Sequence, residues 1–481
     1  MGNIRYKGSN YTKDTRASYV QVEPLSVTEN GTYTAESGKA YNPVSVNVEP
    51  PKSNDVTFYD YDGTVVYSYS AADFAELTEM PANPTHTGLT SQGWNWSLSD
   101  AKSYVADYGK LNIGQMYITD DGKTRLVIQL EDGRLSPTLR LGLNGTATID
   151  WGDGSATTTM TGLNTSTTVY STHDYAGAGE YTILISIEGD ARIFGDSSVG
   201  TYLIQPDGSY LRFVYYNSLY RVFIGSNMDI GECAFSNCTA LVSVTIPSGV
   251  NAIGNFAFDN CFSLVSITIP IGVSRINNSM LATCCSLINV AIPNSVNFID
   301  NSAFKGCRAL TGVTIPENVT TISTNAFSNC TALVNVIISE GVRYIESSAF
   351  IGCSSISNVV LPNSTQNIGS SSFSGCSSVS SVIIHGNSLV IGNSAFVNCR
   401  SIANITIPDS TNSVGVNAFQ NCYGLGYIKF ESTTPPTIYS TNWSSLQTDC
   451  KILVPQGTLE TYKVAQNYPD PNTYTYEEYT E

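Results

Sequence analysis

Charge is scarce in this chain. Only 13% of its 481 residues are charged, and 23 basic residues face 40 acidic ones, for a formal net charge of −17. Nucleic acid is a poor partner for such a surface, because phosphate binding needs a basic stripe and none is present. Histidine is scarcer still: His86, His173 and His385 fall in three separate segments. There is no Gly-x-Ser-x-Gly elbow, no phosphate loop, no His-Glu-x-x-His and no closely paired Cys spacing, so no catalytic residue, metal site or cofactor is predicted. Nothing approaches 18 consecutive apolar residues, which argues against membrane insertion. Met1-Gly2-Asn3-Ile4-Arg5-Tyr6 leads into polar sequence rather than the apolar core of a signal peptide, and this start fails the myristoylation motif, which wants Ser or Thr at the sixth position.

What the chain does have is a fixed interval. Nine of its twelve cysteines (Cys238, Cys261, Cys284, Cys307, Cys330, Cys353, Cys376, Cys399 and Cys422) are spaced 23 residues apart. Three residues before each stands an aromatic, from Phe235 to Phe419, replaced once by Leu281. Three residues after each comes an aliphatic, from Leu241 to Leu425, followed by apolar-x-apolar segments such as Val313-Thr314-Ile315. Proline often closes that segment (Pro247, Pro270, Pro293, Pro316, Pro362, Pro408), with Ser339 and His385 as departures. A 23-residue unit cannot bury its apolar face alone, but stacked copies bury a continuous core. The alternation reads as a strand with one buried side, ended by proline. At about 4.8 Å per strand, nine coils make a ladder roughly 43 Å long.

The pattern Leu-x-x-Val-x-Ile-Pro, then Val-x-x-Ile-x-x-x-Ala-Phe-x-x-Cys, resembles the BspA-type leucine-rich repeat over residues 219–455. The resemblance implies a curved, non-catalytic binding solenoid of the kind seen in surface adhesins. Two states compete for the cysteine column: disulfides between coils, or a stack of buried free thiols. Pairing would strand one of nine and break the equivalence of the coils, which favours thiols.

The predicted fold class is all-β dominated, with small modules preceding the solenoid. Residues 1–23 read as a polar leader. Residues 24–51 hold an Asn30-Gly31 hairpin signal and a third alternating strand, Val44–Val48; this segment resembles a module of phage and prophage structural proteins. Residues 56–124 read as a small α+β module with an Asp62-Gly63 turn and a capped helix from Ser97, and resemble distantly the β-grasp repeats of bacterial surface proteins. Asp60 and Asp62 belong to turn chemistry rather than a calcium loop. Residues 125–190, with Trp151-Gly152-Asp153-Gly154 and His173-Asp174-Tyr175, resemble a PKD-like immunoglobulin-like sandwich in which those motifs are structural. Residues 191–218 are a linker and N-terminal cap; 456–481 are a C-terminal cap helix and an acidic, Tyr-rich tail expected to be extended.

Counting from each cysteine identifies the outward strand positions. Most are a Thr/Asn/Ser ladder, including Thr314, Thr406, Asn335, Asn358 and Asn404, with Tyr427 at its end, but Ile337, Val360 and Ile383 form an apolar row. Exposed apolar rows on a polar sheet mark interfaces, although β-branched residues also simply favour strands. These nine residues are the predicted binding site. The resulting expectation is a non-enzymatic surface protein of a gut bacteriophage virion (tail, fibre or head decoration). Its N-terminal modules would bind other virion proteins, and its solenoid a host surface protein or glycan; a homo-oligomer is compatible with this. It would be made in the host cytoplasm without a signal peptide and become extracellular on lysis. The alternatives are a bacterial BspA-like cell-surface adhesin and a glycan depolymerase whose carboxylates meet across coils.

Overall fold

The computed structural model describes residues 25–27, 33–35, 55–132, 135–193, 203–204, 210–211, 218–226, 228–386, 389–439, 443 and 446–480. The chain divides into two units, Met1–Lys52 and Ser53–Glu481. In the first, β1 (Leu25–Val27) pairs antiparallel with β2 (Tyr33–Ala35) across the Asn30-Gly31 segment. The leader 1–23 and the expected strand Val44–Val48 lie outside the described residues.

The second unit begins with β3 (Val56–Tyr59) and β4 (Val65–Tyr69), joined through Gly63 at φ +86°, a conformation glycine adopts freely. The Asp60 and Asp62 carboxylates accept the backbone N–H groups of Tyr61 and Thr64, which is turn chemistry. Then follow α1 (Ala71–Ala75), β5 (Leu89–Trp94), α2 (Leu98–Tyr108) and β6 (Leu111–Thr119), in sheet order β4-β3-β6-β5. Ser97 caps α2 by accepting the Asp100 N–H at 3.1 Å, and left-handed Gly109 ends it. Phe58, Phe74, Trp94, Trp96 and Tyr104 form this module's core.

Four long strands come next: β7 (Thr124–Leu130), β8 (Thr138–Asp150), β9 (Thr158–Thr172) and β10 (Gly179–Ile193). They lie in one antiparallel sheet of order β7-β10-β8-β9 that runs on into the solenoid, so this segment shares the solenoid's core. The His173 ring stacks on Trp151 at 4.9 Å and sits 2.8 Å from the Asp153 carboxylate, while the Tyr175 hydroxyl donates to the Trp151 carbonyl at 2.6 Å. Hydrogen bonds from Ser155 and then His173 hold the Asp153 carboxyl well below the usual range. The corner is a structural lock.

Beyond the short pair β11 (Leu203–Ile204) and β12 (Tyr210–Leu211), β13 (Leu219–Phe223) is the pivot. It pairs antiparallel with β7 on one side and parallel with Ser243–Thr245 on the other, so the sheet caps the first coil. β14 (Met228–Ile230) pairs with the end of β10. From Ser243–Thr245 to Thr475–Tyr479, eleven strands of one face follow at intervals of 23 or 24 residues among the described residues. A second ladder runs through Ile276, Ile299, Ile322, Ile345 and Ile368. The aromatic positions form a third, in which Phe327 N–H donates to the Ala349 carbonyl at 2.8 Å.

Two residues per coil adopt positive φ. The residue before each grid cysteine is Asn or Gly in eight coils and Thr283, at φ 60°, in the ninth. Inside, the Phe304, Phe327, Phe350, Phe373, Phe396 and Phe419 rings stack at 5.0–5.7 Å. Each buried ring is worth about 2–3 kcal/mol of transfer free energy. From Cys261 onward each grid thiol donates to the carbonyl of the aromatic-position residue one coil back, for example Cys353 to Phe327 at 3.0 Å. All twelve cysteines are free.

The tail does not stay extended in solvent. Thr475–Tyr479 adds a parallel strand to Lys451–Pro455, Lys451 Nζ pairs with Glu477 at 2.8 Å, and α3 (Leu459–Lys463) packs Tyr462 onto Phe430. Charged side chains on this last strand protect the edge. Among the described residues no helix is long and apolar enough to cross a membrane.

Candidate functional site

The strand face is half occupied by the chain itself. The β3–β6 module lies across the outward side of the first coils, with β6 crossing the strands that begin at Ser243, Ser266, Asn289 and Gly312. Asn95 is the keystone. Its Oδ1 accepts the Gly114 N–H at 2.8 Å, and its Nδ2 donates to the Ile269 and Ala291 carbonyls at 3.3 and 3.2 Å. Trp96 Nε1 donates to the Ile292 carbonyl at 3.1 Å. The Tyr104 hydroxyl reaches the Ile315 carbonyl at 3.2 Å and Ser339 Oγ at 3.0 Å, and the Glu340 N–H donates to the Tyr108 hydroxyl at 2.8 Å. Burial pushes the Tyr104 phenol well above its ordinary range, so it stays a neutral donor.

Close approach depends on a missing side chain. A Cβ on Gly114 would lie 2.3 Å from Thr268 Oγ1 and 2.9 Å from Ala291 Cβ, so only glycine lets β6 touch the ladder. Thr245, Thr268 and Ala291 are accordingly buried.

This arrangement divides the nine predicted residues. Thr314 and Ile337 are half-buried, and Ile337 packs against the module's core. Asn335 and Asn358 are exposed at the module's rim, and Val360 and Ile383 are 49% and 45% exposed. Asn404 is exposed, while Thr406 and Tyr427 are half-buried. The apolar row is thus split, with Ile337 under the module and Val360 and Ile383 in the open. A cleft of about 400 Å³ lies along the boundary, lined by Tyr108 and Lys110 on one side and Asn335, Ile337, Asn358 and Val360 on the other. Sequence reasoning did not place the module here. The available signal was that Ala291 breaks the threonine column and Ser339 the proline column at the points of contact.

A larger cleft of about 650 Å³ opens where β5, β8–β10 and the first coil meet, with Asn144, Asn164, Asp190 and Asp229 in its lining. Among the described residues no group of three or more His, Cys, Asp or Glu could hold a metal ion. Burial raises the grid thiols, with Cys422 pushed up to about 12, so the column is chemically inert.

Residues 212–334 and 320–443 match the BspA type Leucine rich repeat region (6 copies). The repeat part of the chain is therefore similar to a BspA-type leucine-rich-repeat region. Among solved structures, a leucine rich cell surface protein from Faecalibacterium prausnitzii is 26% identical over 53% of this chain and 84% of that one, with a TM-score of 0.35. A leucine-rich repeat protein from Bacteroides ovatus is 20% identical over 54% and 88%, with a TM-score of 0.24. The pneumococcal vaccine antigen PcpA is 14% identical over 58% and 82%, with a TM-score of 0.32. No curated protein matches the chain.

Proposed function

We propose that this chain is a non-enzymatic recognition protein displayed at a bacterial cell surface, in the manner of BspA-type adhesins, and that the uncovered half of its strand face contacts the target. One observation carries the reading. Val360 and Ile383 stand about half exposed beside Asn358, Ser381, Asn404 and Thr406, beginning where the chain's own module stops. Adjacent exposed aliphatics on a rigid sheet are the usual mark of an interface. Rigidity adds to this, because a target binding a preformed ladder orders few side chains. The BspA-type match supports the bacterial surface over the virion. The resemblance of residues 24–51 to phage modules has no counterpart in that match. As for depolymerase chemistry, Asp300 is engaged by Arg275 at 2.8 Å and Glu340 by Asn363 at 3.2 Å, which suits surface pairing better than an acid–base pair.

The test has two parts. Antibody to the chain should label intact producing cells; labelling confined to particles released by lysis would move the display to the virion. Purified chain should bind epithelial or neighbouring bacterial cells, and V360D/I383D should lower that binding at least tenfold without changing Tm. Equal binding by the double variant would sink the assignment to this face.

A further inference from the structure

The 23-residue repeat supplies its own reference state, because a residue that breaks a column differs from its equivalents for a local reason. At the outward strand position the commonest residue is Thr, in four of nine coils, and the residue ending the strand is Pro in six of nine. Eight positions in the nine coils depart from one of these two columns: Ala291, Ile337, Val360, Ile383 and Lys429 from the first, and Ser339, His385 and Glu431 from the second. Five of the eight have a partner. Ala291 lies under Gly114, where a larger side chain would collide. Ile337 packs on the module core, and Ser339 Oγ meets the Tyr104 hydroxyl at 3.0 Å. Lys429 lies 4.3 Å from the Tyr479 ring centre and 3.2 Å from Glu431. The three left over, Val360, Ile383 and exposed His385, are neighbours on the open half, and the row they form continues directly from the covered interface.

We infer that Val360, Ile383 and His385, with the Tyr108–Lys110 rim of the module, form a docking site for a polypeptide that continues the module's mode of contact. Such a partner lays aliphatic or aromatic side chains over Val360 and Ile383 and sends Tyr, Trp or Asn donors to the carbonyls at the strand ends. The chain itself demonstrates this recognition: Asn95, Trp96 and Tyr104 do so to the Ile269, Ala291, Ile292 and Ile315 carbonyls two to four coils earlier. His385 occupies the column position of Ser339, two coils on, and offers the partner an imidazole where Ser339 offers Tyr104 a hydroxyl. A polypeptide is favoured over a glycan because the open row is aliphatic and because the equivalent covered row is filled by protein. A carbohydrate would want an exposed aromatic platform there, and Tyr108 is already packed against Tyr104, with ring centres 4.5 Å apart and the planes tilted by 35°.

This inference rests on the proposed use of the open face, and the experiment separates the two. The full chain is immobilised and probed with a phage-displayed library of random dodecapeptides and, in parallel, with a glycan array. Enriched peptides should carry aliphatic or aromatic residues at alternate positions with Tyr, Trp or Asn among them. Their affinity should fall at least tenfold on V360D/I383D and threefold or more on His385→Pro, which restores the repeat residue. Failure to enrich any peptide, or enriched peptides that bind wild type and V360D/I383D alike, would overturn the inference. Glycan binding that depends on Val360 and Ile383 would overturn it while leaving the face as the recognition surface. Cell binding indifferent to both residues would remove the face itself.

Discussion

Asn95→Asp is the sharpest probe of how the module is held. The change is isosteric, so packing stays and only the donors go. Asn95 is 1% exposed, and its amide group serves two carbonyls at once. The Ala291 carbonyl keeps a second donor, the Ile269 N–H at 3.1 Å, whereas the Ile269 carbonyl loses its side-chain partner to an oxygen. An orphaned buried acceptor costs about 1–3 kcal/mol, and facing it with a carboxylate adds to that. The expected deficit is about 2–4 kcal/mol at pH 7. It carries a pH signature that a packing defect lacks. A carboxyl in this dry site has its folded pKa raised above the unfolded value of about 3.9. The deficit is therefore smallest below about pH 4, grows as pH rises past the unfolded pKa, and is complete above the folded one. Urea unfolding of wild type and variant from pH 4 to 8, followed by tryptophan fluorescence, measures it, since Trp94 and Trp96 sit in the module core. A variant as stable as wild type at pH 7, or one whose deficit ignores pH, would refute the docking geometry.

Other consequences test separate parts of the fold. Gly114→Ala forces β6 off Thr268 and Ala291 and should cost about 1–3 kcal/mol; adding Thr268→Ala should return part of it, as a double-mutant cycle would show. Thr283→Asn puts the repeat's own residue at a left-handed position that a β-branched side chain dislikes, and should raise stability by about 1 kcal/mol in thermal melts. Native protein should react with a thiol reagent essentially at Cys285, the one cysteine not fully buried, with all twelve titrating in denaturant; oxidised pairs would show as missing thiols. Because Asp153 has a lowered pKa when folded, the stability it confers is present above the unfolded value of about 3.9 and is lost as pH falls toward its folded pKa. The Tm gap between wild type and Asp153→Asn should accordingly narrow between pH 5 and pH 2.

The solenoid was legible because a repeat states each packing rule many times: Phe, Cys and Ile columns fix which side of every coil is buried. The covering of its first coils was not, because the contacts that dock the module carry no period. Asn95 and Gly114 act through an amide and an absent side chain, and neither stands out in a single sequence. Two columns did register the contact, at Ala291 and Ser339, but a broken column shows that something differs without showing what touches it. Likewise Thr475–Tyr479 reads as a polar tail, since Glu477 and Glu478 mask a strand whose pairing is settled only by Lys451 and its neighbours. At 125–190 the strands were legible from alternation, whereas their merger with the solenoid depends on β13, whose two pairings no local pattern reveals.

The central claim is that the chain covers its own strand face as far as Ile337 and leaves it open from Val360. Hydroxyl-radical footprinting with mass spectrometry reads side-chain exposure residue by residue and tests this directly. The account predicts strong oxidation at Val360 and Ile383, weak oxidation at Ile337, and almost none at Ile267, Val290 or Trp96. Oxidation of Ile337 and Trp96 as fast as that of Val360 would mean the module does not rest on the solenoid, and would contradict the account.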